Sequence, residues 1–465
     1  MASSLLSMGV FCTSFLAAFF SVIFFKQNFY RVVEKVDLQG CETIENIRGE
    51  CFFRNNYLDA RELFLKSAND AGAEMMFLPV IDDLGTDVAI LRGSPKKFML
   101  HISGTHGVEG YAGSAVQSAA LQYLVQQRKI DTNDADDLPT IIFVHALNPY
   151  GFSNDRRVNE KNVDLNRNFL SEHEFAAYRA RDPNYVGYVN LNSLFNPVKT
   201  ISKNIQVNEV YSMFRTVYAL GRYGLLHIKR ALVAGNYHKE DGVGFGGFDL
   251  QQSAKNLISL VQDESIGLSH ADQILLLDVH TGLGPMGVDT LGSNRVSTLQ
   301  ESFPTEREVV TATTTESSIS NSRSSSIGNK NSAVLGGIHA DLSGKGTKDD
   351  ALSGYDLTVG QITSAFCDNW LSKNISRDKV TCLLQEFGTV RPSEVGRYMI
   401  AENYAYFHGS QEEKAYYREK YRDCFYVQSS FWKRRVVRRG LKVFIQSLNF
   451  LVADPQRLPF PNCQL

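Results

Sequence analysis

Apolar residues along this chain recur in two rhythms. In YLDARELFLKSANDAGAE (57–74) they return every three or four positions and the stretch closes near Gly72, which predicts an amphipathic helix. AGSAVQSAALQYLVQQ (112–127) predicts a second. The other rhythm is a short unbroken apolar run: DVAIL (87–91), FMLHIS (98–103), TIIFVHAL (140–147), QILLLDV (273–279) and VTCLLQEF (380–387). Runs of this length read as strands buried on both faces, which is how parallel strands covered by helices look. The run at 140–147 ends in the turn Asn148-Pro149-Tyr150-Gly151. Strands alternating with helices predict an α/β fold, a mixed and mainly parallel sheet with helices on both faces.

Three stretches depart from both rhythms. Residues 5–25, LLSMGVFCTSFLAAFFSVIFF, carry no formal charge and are long enough to cross a bilayer as a helix. A cleavable signal peptide is the rival reading, but no Lys or Arg precedes the run. Lys26, Arg31 and Lys35 follow it instead, so the expectation is a single N-terminal transmembrane anchor, with the side of the membrane left open and the three flanking charges leaning to the cytoplasmic one. TATTTESSISNSRSSSIGNKNS (311–332) is Ser/Thr-rich and predicts a surface insertion. KRRVVRRGLK (433–442) packs six basic residues into ten, which predicts a solvated helix face or, next to an anchor, one that touches anionic lipid. The layout expected is an anchor at 1–30, a linker at 31–56, one catalytic domain at 57–451 and a tail at 452–465.

Composition narrows the function. With 43% hydrophobic residues the chain can bury a sizeable core, and 48 basic against 50 acidic residues leave no global field to attract nucleic acid. The seven cysteines, at 12, 41, 51, 367, 382, 424 and 463, form no CxxC pair, which argues against a cysteine zinc site. Cys41 and Cys51 could bridge in an oxidising compartment. Asn374 in NIS fits a glycosylation sequon, which matters only for a lumenal or extracellular domain.

The chemistry sits where strands end. HISGTHGVEGYAGSA (101–115) sets His106 and Glu109 three apart at the handover from a strand to a helix, and LDVHTGLGPMG places His280 directly after another strand. Glu386 ends a third. Loops at the carboxyl ends of such strands converge on one crevice. Two imidazoles and a carboxylate, with a short spacer and a long gap, form the ligand set of a catalytic zinc whose fourth position takes water. A lone HxxE is usually chance, and His101 and His145, inside apolar strands, read as core histidines. The intervening NPYGFSNDRRVNEKNVDLNRNF (148–169) raises the odds, because arginine forks and asparagine amides suit a bound carboxylate. The competing reading is a polar surface loop with its arginines in salt bridges.

HGVE, then NP-x-G followed by DLNRNF, then DVH, then a glutamate at a strand end, resembles the carboxypeptidase A-like zinc metallocarboxypeptidase superfamily, which includes peptidoglycan amidases and desuccinylase/aspartoacylase deacylases. More narrowly, SGTHGVEGYAGSA, LDVHTGLGP and QEFGT are similar to a largely uncharacterised, bacterial-type family within it, over about 57–451. The resemblance implies one Zn2+ per chain on His106, Glu109 and His280. It implies Asp164 behind a ligand histidine, and Asn166 with Arg167 on the substrate's terminal carboxylate. Arg157, or Arg156 beside it, would face the developing oxyanion, and Glu386 would be the general base. The implied activity is hydrolysis of amide bonds in a peptide or acyl-amino-acid substrate, by a carboxypeptidase or else by a deacylase or amidase. A non-catalytic binding module is the reading from another class, opposed by the fact that every matched position is filled. The family's substrate-capping tyrosine has no clear match, Tyr355 being the nearest. ALVAGNYHKEDGVGFGGFDLQQS (231–253) lengthens the gap between ligands, and its glycines predict a loop over the cleft.

Overall fold

The computed structural model of the chain describes residues 48–130, 138–293, 338–341, 357–373 and 375–452. The expected anchor at 5–25, the insertion at 311–332, Tyr355, Asn374 and the tail beyond Val452 lie outside them. Among the described residues no helix is long and apolar enough to cross a membrane.

The predicted runs are strands of one eight-stranded sheet: β1 (Glu74–Ile81), β2 (Leu84–Leu91), β3 (Ser94–Ile102), β4 (Pro139–His145), β5 (Gln273–Thr281), β6 (Asp289–Ser293), β7 (Ile338–Asp341) and β8 (Val380–Phe387). Their order is β1-β2-β4-β3-β5-β8-β6-β7. The central four, β4-β3-β5-β8, run parallel, and β1, β2 and β6 add antiparallel pairings at the two sides. The sheet is therefore mixed with a parallel centre, as the buried runs predicted.

Both faces are covered. Side chains alternate across a strand, so Leu275 and Leu277 of β5 join one core while Ile274 and Leu276 join the other. The first core is closed by α1 (Tyr57–Asp70), α2 (Gly110–Ile130) and a C-terminal helix, α8 (Ser430–Leu451), through Phe64, Val116, Trp432 and Phe444. The second is closed by α6 (Gln252–Gln262) and a π-type helical segment, Ile362–Leu371, through Leu257 and Phe366. A disulfide between Cys367 and Cys382 ties that segment to β8. Cys51 is also disulfide-bonded, whereas Cys41 lies outside the described residues. Other elements used below are the short α3 (Pro149–Ser153), α4 (Ile205–Tyr223), α5 (Leu225–Val233) and α7 (Pro392–His408).

The basic run at 433–442 differs from its expectation. It is the first half of α8, whose Trp432, Val436, Val437 and Leu441 are buried. Its charges make ion pairs instead of facing only water: Arg434 with Glu50 at 3.2 Å, and Arg439 with the buried Asp289 at 2.8 Å. A helix can pack one face and still look uniformly basic in sequence because long arginine stems reach around its flank.

Candidate metal centre

The site is built where β3, β5 and β8 end on the same edge of the sheet. After β3 the chain makes a tight turn, with Gly104 at φ +63°, into a single helical turn, Gly107–Glu109, that leads directly into α2. Gly107 has no alternative here. A Cβ on it would lie 2.0 Å from the backbone carbon of Gly151, so the loop can rest against α3 only without a side chain. His280 lies in β5 and pairs in register with Glu386 of β8. The two strands thus bring together residues more than a hundred positions apart, beside the β3 turn.

His106, Glu109 and His280 come together, each offering one ligand atom within 4.8 Å of the others, and all three are buried. The Nδ1 atoms of the two histidines face each other at 3.1 Å. Glu109 Oε1 is 2.9 Å from His106 Nδ1, and Oε2 is 3.0 Å from His280 Nδ1. From behind, Asp164 Oδ1 accepts from His106 Nε2 at 3.1 Å and Asp278 Oδ2 accepts from His280 Nε2 at 2.7 Å. An ionised carboxylate can only accept, so each Nε2 donates to its carboxylate, and each Nδ1 is the atom turned to the centre, where it would offer its lone pair to a cation. Three lone-pair donors about 3 Å apart suit a small divalent cation, and two nitrogens with one carboxylate are zinc-type donors.

The charges agree with this. Glu109, Asp164, Asp278 and Glu386 are all buried, and Arg157 is the guanidinium bonded into the cluster. Burial works against a charged His280, yet Asp278 and Glu109 hold its pKa well above the ordinary value, so the Nδ1 proton occupies the place a bound cation would take. Burial likewise opposes charge on Glu109 and Asp164; the two histidines nonetheless keep Glu109 low, and Arg157 and His106 keep Asp164 well below the usual range. A buried surplus of negative charge is costly unless a cation offsets it. The residues present fit a zinc ion.

The two adjacent arginines have different partners. Arg157 donates from Nε to Asp164 Oδ2 and from Nη1 to Glu109 Oε1, both at 3.0 Å. Arg156 points elsewhere, to Glu402 at 2.7 Å and Asn162 at 3.1 Å, with its guanidinium 3.5 Å from the centre of the Tyr406 ring. Glu386 is buried and accepts a hydrogen bond from the Leu283 N–H at 2.9 Å. Burial and the nearby Glu109 charge, partly opposed by His280, raise its pKa to about 7.

Asn166 and Arg167 lie on the turn that follows Asp164, and both are buried. Arg167 donates to the Val233 and Asn166 carbonyls, each at 2.6 Å, and Asn166 Oδ1 accepts from the Ile362 N–H at 2.9 Å. The glycine-rich 231–253 stretch is stitched onto the 159–168 segment. Asn168 Nδ2 donates to the Gly246 and Asp249 carbonyls, Asn162 Nδ2 to the Glu240 carbonyl, and the Asp164 N–H to the Phe245 carbonyl. These bonds make it a brace under the DLNRN turn, where a loop over the cleft was expected.

From sequence, Asp278 had no assigned role. Its function as a brace was legible in principle, because residues two apart on a strand share a face. The Thr105 hydroxyl, which donates to Asp278 Oδ1 at 2.8 Å, and the Thr281 N–H, which donates to Glu109 at 3.0 Å, carried no signal at all.

The model of the family described as a protein of unknown function, DUF2817, matches residues 53–343 and 343–439. No curated protein's sequence matches the chain. Several solved structures are similar. Thrombin activatable fibrinolysis inhibitor matches at a TM-score of 0.36 and 10% identity, over 87% of this chain and 79% of that one. The bovine inhibitor in complex with tick carboxypeptidase inhibitor matches at 0.35 and 11%, over 84% and 98%. A succinylglutamate desuccinylase from Silicibacter sp. TM1040 matches at 0.28 and 13%, over 72% and 67%. At such scores the likeness carries nothing about activity, and the side-chain geometry has to. The family match spans most of the sequence: the chain belongs to the DUF2817 family.

Proposed function

We propose that the chain is a zinc-dependent hydrolase of amide bonds, most simply a metallocarboxypeptidase. The observation that carries this reading is the convergence of the His106 Nδ1, His280 Nδ1 and Glu109 donors beside a buried carboxylate, Glu386, on the neighbouring strand. A zinc ion held by the three would bring the pKa of water toward neutrality and polarise a carbonyl oxygen. Asp164 and Asp278 keep the two imidazoles in the tautomer that binds it. Glu386, buried on the strand beside His280, takes a proton from the attacking water and hands it to the leaving nitrogen. Arg157, partly open to solvent, faces the oxyanion that develops on the substrate carbonyl. Asn166 and Arg167 supply donors for a substrate carboxylate.

A second reading is a deacylase or amidase of small acylated amino acids or cell-wall peptides, and one observation favours its amidase form, which needs no free substrate carboxylate. The Arg167 guanidinium is already committed to two backbone carbonyls, which limits what it can offer to a terminal carboxylate.

The test is metal content followed by substrate choice. Purified full-length chain is expected to hold about one zinc, the stoichiometry of a three-ligand site, and His106→Ala and His280→Ala versions to lose most of it. Well-folded wild type without bound metal would sink the hydrolase reading and bring forward the non-catalytic one. Peptides with free and amidated C-termini, set beside acylated amino acids, then separate the two activities.

A further inference from the structure

Away from the metal centre, one helix is turned the wrong way round for a domain in water. In α4, Ile205, Asn208 and Ala219 are the buried positions. Glu209, on the same side, accepts from Arg397 at 2.7 Å and from Tyr398 at 3.0 Å, which fastens the helix to α7. Helical spacing puts Val207 and Tyr218 on the opposite side, with Val217 at its edge, while Tyr211 borders the groove towards α7. They are exposed, Tyr218 at 71% and Val217 at 56%. Leu225 and Leu226, opening α5, continue the apolar surface, Leu225 at 57%. An ordinary surface helix points this stripe inward, and a contiguous exposed apolar surface marks a binding face.

The charge pattern identifies the occupant. Between residues 183 and 238 there are six basic residues, Lys199, Lys203, Arg215, Arg222, Lys229 and Arg230, and one acidic residue, Glu209. That one acid is consumed in the contact with α7. Lys199, Lys203 and Arg222 are exposed on α4 and the segment that leads into it. A second copy of the chain would set one positive face against another, which costs binding. Exposed tyrosine, leucine and valine flanked by Lys and Arg, with no acid on the face, match a helix lying in the headgroup layer of a bilayer, and anionic lipid attracts each such basic residue.

We propose that α4 and the start of α5 form a peripheral docking face for an anionic membrane surface. This is separate from the 5–25 stretch, which the docking face does not require, and it stands whatever the metal centre catalyses. In the cell, such a face would hold the domain at a fixed orientation to the lipid and deliver substrates that are themselves near the bilayer.

A local reporter tests it on the full-length chain, where simple vesicle binding would be confounded by residues 5–25. Tyr218→Trp places a fluorophore on the face, and Leu58→Trp places one on α1, at a position that is also exposed. Vesicles of phosphatidylcholine with about one-third phosphatidylserine, carrying brominated acyl chains, are expected to blue-shift and quench the reporter at 218 and leave the one at 58 unchanged. Replacing Lys199, Lys203 and Arg222 by Gln is expected to weaken the docking equilibrium by about fivefold per charge, and added salt to weaken it further. A reporter at 218 that ignores brominated lipid overturns the proposal. So does a blue shift that grows with protein concentration in the absence of vesicles, which would make a second copy the occupant.

Discussion

Single atoms decide the chemistry of this site. Each of the two histidines is held by a carboxylate at Nε2, so removing that carboxylate tests the proposed metal site without touching a proposed ligand. Asp278→Asn is expected to weaken zinc binding by about 10–100-fold, the usual cost of losing such an outer partner. Chelator competition measures it, and an unchanged affinity would mean that β5 alone orients His280. Asp278 also accepts from Thr105, next to His106, and so ties the two ligand-bearing segments together. Glu386→Gln keeps the size and the hydrogen bond from Leu283 but cannot take a proton. Its turnover is expected to fall by about 10²–10⁴-fold, the usual contribution of a general base, with zinc content unchanged. Retained turnover would assign the base elsewhere.

At the scale of elements, the HxxE loop depends on contact between backbones. Gly107→Ala would drive a methyl group into the backbone of Gly151 and Phe152, with approaches of 2.0 and 2.1 Å. The loop has to shift, and His106 and Glu109 shift with it. The expected result is loss of bound zinc together with a lower melting temperature, read by metal analysis and thermal unfolding. Retained metal would show that the turn can relax around α3. Helix α8 works differently. Its Phe444 is fully buried and packs near Phe143 of β4, with ring centres 5.7 Å apart. Phe444→Ala is expected to cost about 3–5 kcal/mol of stability through the cavity it leaves, with metal affinity unchanged in the molecules that remain folded.

The molecule as a whole carries a pH dependence that has nothing to do with catalysis. His101 and His145 are fully buried in the central sheet, and burial lowers the pKa of each to about 3. In the unfolded chain each takes up a proton near pH 6.5, whereas in the folded chain each stays neutral until about pH 3. Between those values the unfolded state binds more protons, so stability falls as pH falls. At about pH 5 the loss is roughly 2 kcal/mol for each histidine, at about 1.4 kcal/mol per pH unit. Denaturant unfolding at neutral and mildly acidic pH checks this. A His101→Gln/His145→Gln double variant that keeps the full acid sensitivity would assign it to other groups.

What was legible in the sequence is what depends on local rhythm and on motif. The five apolar runs are strands because a segment covered on both faces must be apolar at every position. The helices at 57 and 112 follow from their period. His106, Glu109 and His280 could be picked out because strand ends converge whatever lies between them. Side-chain direction and long-range pairing were left to the tertiary structure. Arg156 and Arg157 are adjacent and chemically identical, and the choice between them rests on which one meets Asp164 and Glu109 after the chain has turned. The glycines of 231–253 allow a flexible lid as readily as a brace, and the hydrogen-bond partners in 159–168 make it a brace. The basic run in α8 and the outward apolar face of α4 follow the same logic. A residue's type limits what it can touch, and only the packed fold determines what it does touch.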